Sequence, residues 1–285
     1  MIEHGKIRRL NKELSPELKQ MEEYFISQVE NNSDKYFSKY NSLESSFNGQ
    51  YICSDLFKET FDEYTESIET RMHYSEVIHN SCAVMAGELF ERQAKNPNIN
   101  KCIFLTGVPG AGKSYLIQSL FLQGIISNDT MVFEGDISSP SIREKFEMVK
   151  NNGKEIHIIV VNPTLELAQE NAIRRHFEIG RGASSSTMAR ILAGIPNAIA
   201  NLSQDYDITV GIFNKSSNYD IETVVTDDID EIMANTYHGT KEEIEQRLLE
   251  LREQLLPGIR EEFEKKKLGI EEEEYIPTEG VKYGR

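Results

Sequence analysis

The chain has 285 residues, 39% hydrophobic and 27% charged, with a formal net charge of −16. That length holds one substantial α/β core with helical additions, or two small domains. No apolar run approaches the ~20 residues of a membrane span, and the acidity argues against a nucleic-acid backbone as partner. Residues 1–6 lack the apolar core of a signal peptide. Cys53, Cys82 and Cys102 form no CxxC pair. The expectation is a reducing, cytoplasmic setting with neither a disulfide framework nor a zinc site.

Residues 1–100 read as a helical N-terminal region. Ser15-Pro16 supplies an N-cap and first turn, followed by Leu18, Met21, Phe25 and Val29 at helical spacing. A second pattern over 77–94 carries Val84, Met85, Leu89 and Phe90, and Asn96-Pro97-Asn98 closes it. The aromatics Tyr24, Phe25, Tyr36, Phe37, Tyr40, Phe57, Phe61 and Tyr64 recur at helical spacing and read as core. From Lys101 the texture changes. Short apolar strands at 102–105, 131–133, 156–161 and 208–213 alternate with helical patterns at 114–122, 141–150, 165–179 and 188–202. Such alternation predicts a parallel sheet covered on both faces over residues 101–225. Residues 226–285 read as a helical extension with Ile244, Leu248, Leu251 and Leu255 on one stripe ending at Pro257-Gly258. The acidic run 271–274 reads as a solvated tail.

Gly107-Val108-Pro109-Gly110-Ala111-Gly112-Lys113-Ser114, followed by Tyr115, matches G-x-x-x-x-G-K-[ST]. Average composition puts a chance match in a chain this long at about 1%. An apolar strand precedes it and an amphipathic helix follows, the setting in which backbone N–H groups cradle phosphate at a helix N-terminus. These nine residues are therefore the predicted ATP contacts. Lys113 would pair with the β- and γ-phosphates, and the Ser114 hydroxyl would ligate Mg²⁺.

A carboxylate is expected at the end of a neighbouring strand, and Glu134-Gly135-Asp136 supplies two. Asp136 is the candidate base or metal partner, because it stands further out along the strand. Asn162-Pro163 ends the next strand. The helix after it carries Arg174 and Arg175 and breaks at Gly180-Arg181-Gly182, before Ala183-Ser184-Ser185-Ser186. Arginines so placed suit a lid over a transferring phosphoryl group, with Arg175 and Arg181 as transition-state stabilisers.

In these features the sequence resembles the zeta-toxin family of P-loop kinases. The thread runs through Thr106 and the glycine loop to Ser114, then Asn162-Pro163, Ala168, Arg175 and Gly180-Arg181. It ends on Asp207-Ile208-Thr209-Val210-Gly211-Ile212-Phe213-Asn214-Lys215-Ser216, and His79-Asn80 stands before the loop. The likeness spans roughly 77–225. It implies a three-layer P-loop kinase core and transfer of the ATP γ-phosphate to a UDP-amino sugar such as UDP-N-acetylglucosamine, with an antitoxin protein as partner. The family places two strands between the P-loop helix and the proline-ended strand. The first carries the catalytic aspartate, the second an E-G-T or D-G-T signature. Here 43 positions separate Lys113 from Ile156 and hold one such strand, so Glu134-Gly135-Asp136 aligns with either. The Val-Pro that follows the family's lid Gly-Arg is replaced by Gly182-Ala183-Ser184. The alternatives are a nucleotide-binding switch without transferase activity, and a kinase for another hydroxyl, on a nucleotide, an antibiotic or a polynucleotide end.

Overall fold

A computed structural model describes residues 2, 5–217 and 220–268; the acidic run at 271–274 lies outside them. The N-terminal region opens with α1 (Pro16–Ser42), capped by the Ser15 hydroxyl accepting from Leu18 N. After a turn come β1 (Tyr51–Cys53), α2 (Ser54–Lys58), α3 (Asp62–Thr65), α4 (Ile68–Tyr74) and α5 (His79–Ala94). The predicted aromatic core forms here: Tyr40 stacks on Phe57 at 3.7 Å between ring centroids, and Tyr36 on Phe61 at 4.2 Å.

The alternating part follows as β2 (Lys101–Thr106), α6 (Lys113–Leu122), β3 (Thr130–Glu134), α7 (Ile142–Asn151), β4 (Glu155–Pro163), α8 (Leu165–Ile179), α9 (Ser185–Ser203) and β5 (Ile208–Lys215). Then come β6 (Ile221–Thr226), α10 (Ile229–Asn235) and α11 (Lys241–Lys267). The six strands form one sheet in the order β1-β3-β2-β4-β5-β6, parallel except for β6. Helices on the strands make an α/β arrangement compatible with a three-layer core. On one face Phe104 stacks on Phe146 of α7, while Phe90 of α5 and Phe133 close around it. No helix among the described residues is long and apolar enough to cross a membrane.

Three features depart from the expected pattern. The N-terminal region is not all helix, because β1 pairs in parallel with β3 in the register Tyr51↔Val132, Ile52↔Phe133, Cys53↔Glu134. Positive φ at Phe47, Asn48 and Gly49 turns the chain off the helical layer and into the sheet. Burying Tyr51 and Ile52 there stabilises by roughly 1.5–3 kcal/mol each. β6 adds an antiparallel edge with mostly exposed side chains, so it lacks the apolar run that marks the inner strands. The last helix also passes through Pro257 rather than ending at it. Burial of Ile259 beyond the proline holds the helix together against the lost hydrogen bond.

Candidate functional site

The carboxyl ends of the parallel strands share one edge of the sheet. The order reverses around β2, because the chain leaves it to β3 on one side and then to β4 on the other. Open α/β sheets place ligands at such a crevice, and the glycine loop 107–114 emerges there between β2 and α6.

The loop is wedged against its neighbours. Gly110 has φ +85°, and a Cβ on it would lie 2.7 Å from the Ala168 carbonyl oxygen and 3.0 Å from Ala172 N of α8. Asn171 Nδ2 donates to the Gly110 carbonyl at 2.9 Å, tying α8 to the loop. Lys113 curls back over the loop, donating to the carbonyls of Gly107 at 2.7 Å and Val108 at 3.0 Å. Its ammonium is 3.5 Å from Glu134 Oε1. Tyr51 of β1 donates its hydroxyl to the other Glu134 oxygen and lies 3.5 Å from Ser114 Oγ. Burial first, then Cys53 and the Glu134 carboxylate, keeps the Tyr51 phenol well above its ordinary range and so protonated. Lys113, Ser114, Glu134 and Tyr51 therefore form one cluster.

Beside it stands a carboxylate that sequence reasoning did not find. Asp55 lies two residues past β1, next to the strand that ends in Glu134. Its Oδ2 accepts from Arg181 Nη2 at 2.5 Å, and its Oδ1 lies 3.1 Å from Lys58 Nζ. Burial works to raise the Asp55 carboxyl, but the charges of Arg181 and Lys58 outweigh it and hold the group far below the usual carboxylate range. The Cys53 thiol is pushed up to about 12, by burial and then by Glu134 and Asp55, and is not a nucleophile at neutral pH.

Arg181 reaches Asp55 because of the turn before it. Gly180 ends α8 at φ +70°, and a Cβ there would sit 2.6 Å from the Ile68 carbonyl oxygen, so the turn packs directly on α4. Arg175, one helical turn back, has no hydrogen bond or ion pair from its guanidinium among the described residues. Burial and the neighbouring Arg181 lower its pKa, while Asp55 and Glu134 act in the opposite direction. Arg174 points elsewhere, pairing with Glu170 and with Glu262 of α11. The predicted lid arginines Arg175 and Arg181 thus meet at the site, and Arg174 ties two helices together.

Asp136, expected further out along the strand, makes its contacts outside this cluster. β3 ends at Glu134, so strand alternation does not carry Asp136 to the Glu134 side. Its Oδ1 accepts from Ser138 N at 2.9 Å and Ser138 Oγ at 2.6 Å, and its Oδ2 from Arg190 of α9. Tyr115 is 68% exposed at the start of α6. The signal that would have exposed Asp55 is the run Tyr51-Ile52-Cys53-Ser54-Asp55, a short apolar strand ending in an acid as 131–136 does. It lies upstream of the glycine loop, outside the interval where a second strand was expected.

Among the described residues no cluster of three or more His, Cys, Asp or Glu could hold a metal ion. A nucleotide-bound Mg²⁺ takes one or two protein oxygens and fills its octahedron with phosphate and water, and the neighbouring Ser114 and Glu134 suit that demand. The sequence matches no protein-family model and no curated protein.

Proposed function

We propose that this chain is an ATP-dependent phosphotransferase with a P-loop kinase core, acting on an alcohol group of a small molecule. The observation that carries the reading is the meeting of Lys113, Glu134, Asp55, Arg175 and Arg181 at the carboxyl edge of the sheet, around a glycine loop at a helix N-terminus.

Lys113 and the loop N–H groups hold the β- and γ-phosphates of ATP. Ser114 and Glu134 would hold Mg²⁺, which supplies positive charge to the phosphate oxygens. Arg175, with no counter-ion of its own, stabilises charge on the transferring group, and Arg181 joins it. Asp55 takes the place first given to Asp136: it orients the acceptor hydroxyl and receives its proton. An Arg181-paired carboxylate is a weak base, so most of its effect is orientation, strengthened when phosphate draws on Arg181.

The resemblance to zeta toxins implies a UDP-amino sugar acceptor, and an antitoxin partner with it. The apparent lack of one strand favoured the switch reading. β1 fills the sheet position beside β3 and brings a carboxylate with it, which supports the catalytic reading instead. The test incubates the protein with ATP, Mg²⁺ and either UDP-N-acetylglucosamine or a cell extract, following ADP release and phosphorylated metabolites by mass spectrometry. Acceptor-dependent ADP with one metabolite heavier by a phosphate is expected. ATP binding without acceptor-dependent ADP overturns the kinase reading in favour of the switch.

A further inference from the structure

A cavity of ≈ 410 Å³ lies between α8, α11 and the start of α9. That is the size of small-molecule sites in general, and none of residues 107–115 lines it. Ala172, Ile173, Leu249 and Leu256 give it apolar walls. Its polar groups come from His176 of α8, Arg252 of α11 and the loop 182–185 that leads into α9. Gly182 leaves room for the imidazole, since a Cβ there would lie 3.2 Å from His176 Nδ1. The chain carries 47 acidic residues against 31 basic ones, yet no Asp or Glu is among the described residues lining this cavity. Its charge is therefore opposite to that of the chain as a whole.

Two independent observations point to an anionic ligand here. The first is the start of α9, a helix of 19 residues. Ser184 caps it, its hydroxyl accepting from Thr187 N at 3.1 Å and its carbonyl from Met188 N. The N–H groups of Ser185 and Ser186 have no acceptor within the helix, and such a terminus attracts negative charge. The second is the Ser185 side chain. It is only 5% exposed, it lines the cavity, and its hydroxyl has no hydrogen-bond partner among the described residues. A buried hydroxyl left without a partner is costly to fold, and an acceptor in the cavity would offset that cost. Nor do the Arg252 guanidinium and the His176 imidazole make a hydrogen bond or ion pair among the described residues.

We infer that this cavity binds a phosphate monoester with an apolar organic part, its phosphate set at the start of α9. The Ser185 and Ser186 N–H groups, the Ser185 hydroxyl and the Arg252 guanidinium are its donors. A tetrahedral group with three acceptor oxygens meets donors arriving from several directions at once, which a flat carboxylate does not. The apolar walls from α8 and α11 take the organic part. Gly182 directly follows Arg181, so an occupant also holds the loop through which that arginine reaches Asp55. The site is separate from the glycine loop and does not depend on the phosphotransferase reading.

Calorimetry with phenyl phosphate tests this, with Mg²⁺ and a saturating non-hydrolysable ATP analogue present so that the glycine loop is occupied. Phenyl phosphate should bind about tenfold more tightly than inorganic phosphate, which lacks the apolar part. Arg252→Gln and Ser185→Ala should each weaken phenyl phosphate binding by about tenfold. Ser185→Ala should melt no lower than wild type, because the hydroxyl it removes has no partner in the fold. Hydrogen exchange of the wild type gives a readout that needs no variant, and added phenyl phosphate should slow exchange within 182–188 and 249–256. No binding, slowing confined to other segments, or folded variants that bind as the wild type does overturn the inference. Inorganic phosphate binding as tightly as phenyl phosphate overturns the apolar part of the ligand. Failure of the ATP analogue to bind counts against the nucleotide reading alone, and the exchange map then decides this one.

Discussion

Asp55→Asn separates a catalytic carboxylate from a structural one. The substitution keeps the size of the side chain and an acceptor for Arg181 but removes the charge. The Asp55 side chain is 43% exposed and that of Arg181 19% exposed, so water screens the pair and its loss should cost about 1 kcal/mol, between surface and buried ion pairs. If Asp55 orients the acceptor and takes its proton, the rate should fall on the order of 10²–10⁴-fold, or ~3–5 kcal/mol of barrier. The catalytic effect thus exceeds the folding effect several times over. The assay is acceptor-dependent ADP release at saturating ATP, with ATP affinity from calorimetry and stability from thermal melting. Asp136→Asn is the matched control and should stay within about tenfold of wild type, because Ser138 and Arg190 already occupy its carboxylate. The same variant has a pH signature. The unfolded carboxyl titrates near 3.9 and the folded one lower. The stability from this pairing is therefore complete above about pH 4 and lost as pH falls below it. Asp55→Asn should flatten that acid loss. A variant with wild-type turnover, or an Asp136→Asn with the larger defect, refutes the assignment.

Lys113→Ala should abolish turnover and weaken ATP binding while circular dichroism stays unchanged. Arg175→Ala and Arg181→Ala should each lower the rate constant on the order of 10³-fold, more than they weaken ATP binding. Their melting points should differ: removing Arg181 leaves Asp55 short of its main partner, whereas removing Arg175 relieves a half-buried charge with no ion pair among the described residues. Gly180→Ala should destabilise by roughly 1–3 kcal/mol in urea unfolding, because its positive φ and the Ile68 carbonyl leave no room for a methyl group.

The local parts of this architecture were legible in the sequence. The strands expected at 102–105, 131–133, 156–161 and 208–213 fall within β2, β3, β4 and β5, and the helices between them correspond to α6, α7, α8 and α9. The glycine loop and the two site arginines followed from residue types at fixed spacing. What escaped was non-local. β1 has three residues, too few to show alternation among helical runs, and its partner strand lies about 80 positions away. Asp55 and Arg181 are 126 positions apart, and nothing in either neighbourhood announces the other. The contacts of Asp136 with Ser138 are local by contrast. The backbone leaves the sheet at Gly135, and the aspartate closes a turn on Ser138.

The position of β1 also governs how the chain can be divided. A cut near Lys101, where the composition changes, would strip β3 of a neighbour and leave the backbone groups of Met131-Val132-Phe133 open along one side. At present Val132 N is satisfied by the Gln50 carbonyl at 2.8 Å. An apolar, β-prone edge of this kind is a template for pairing with another copy. A fragment starting at 101 should therefore self-associate through β3 and precipitate, whereas one starting ahead of Gly49 keeps that edge covered.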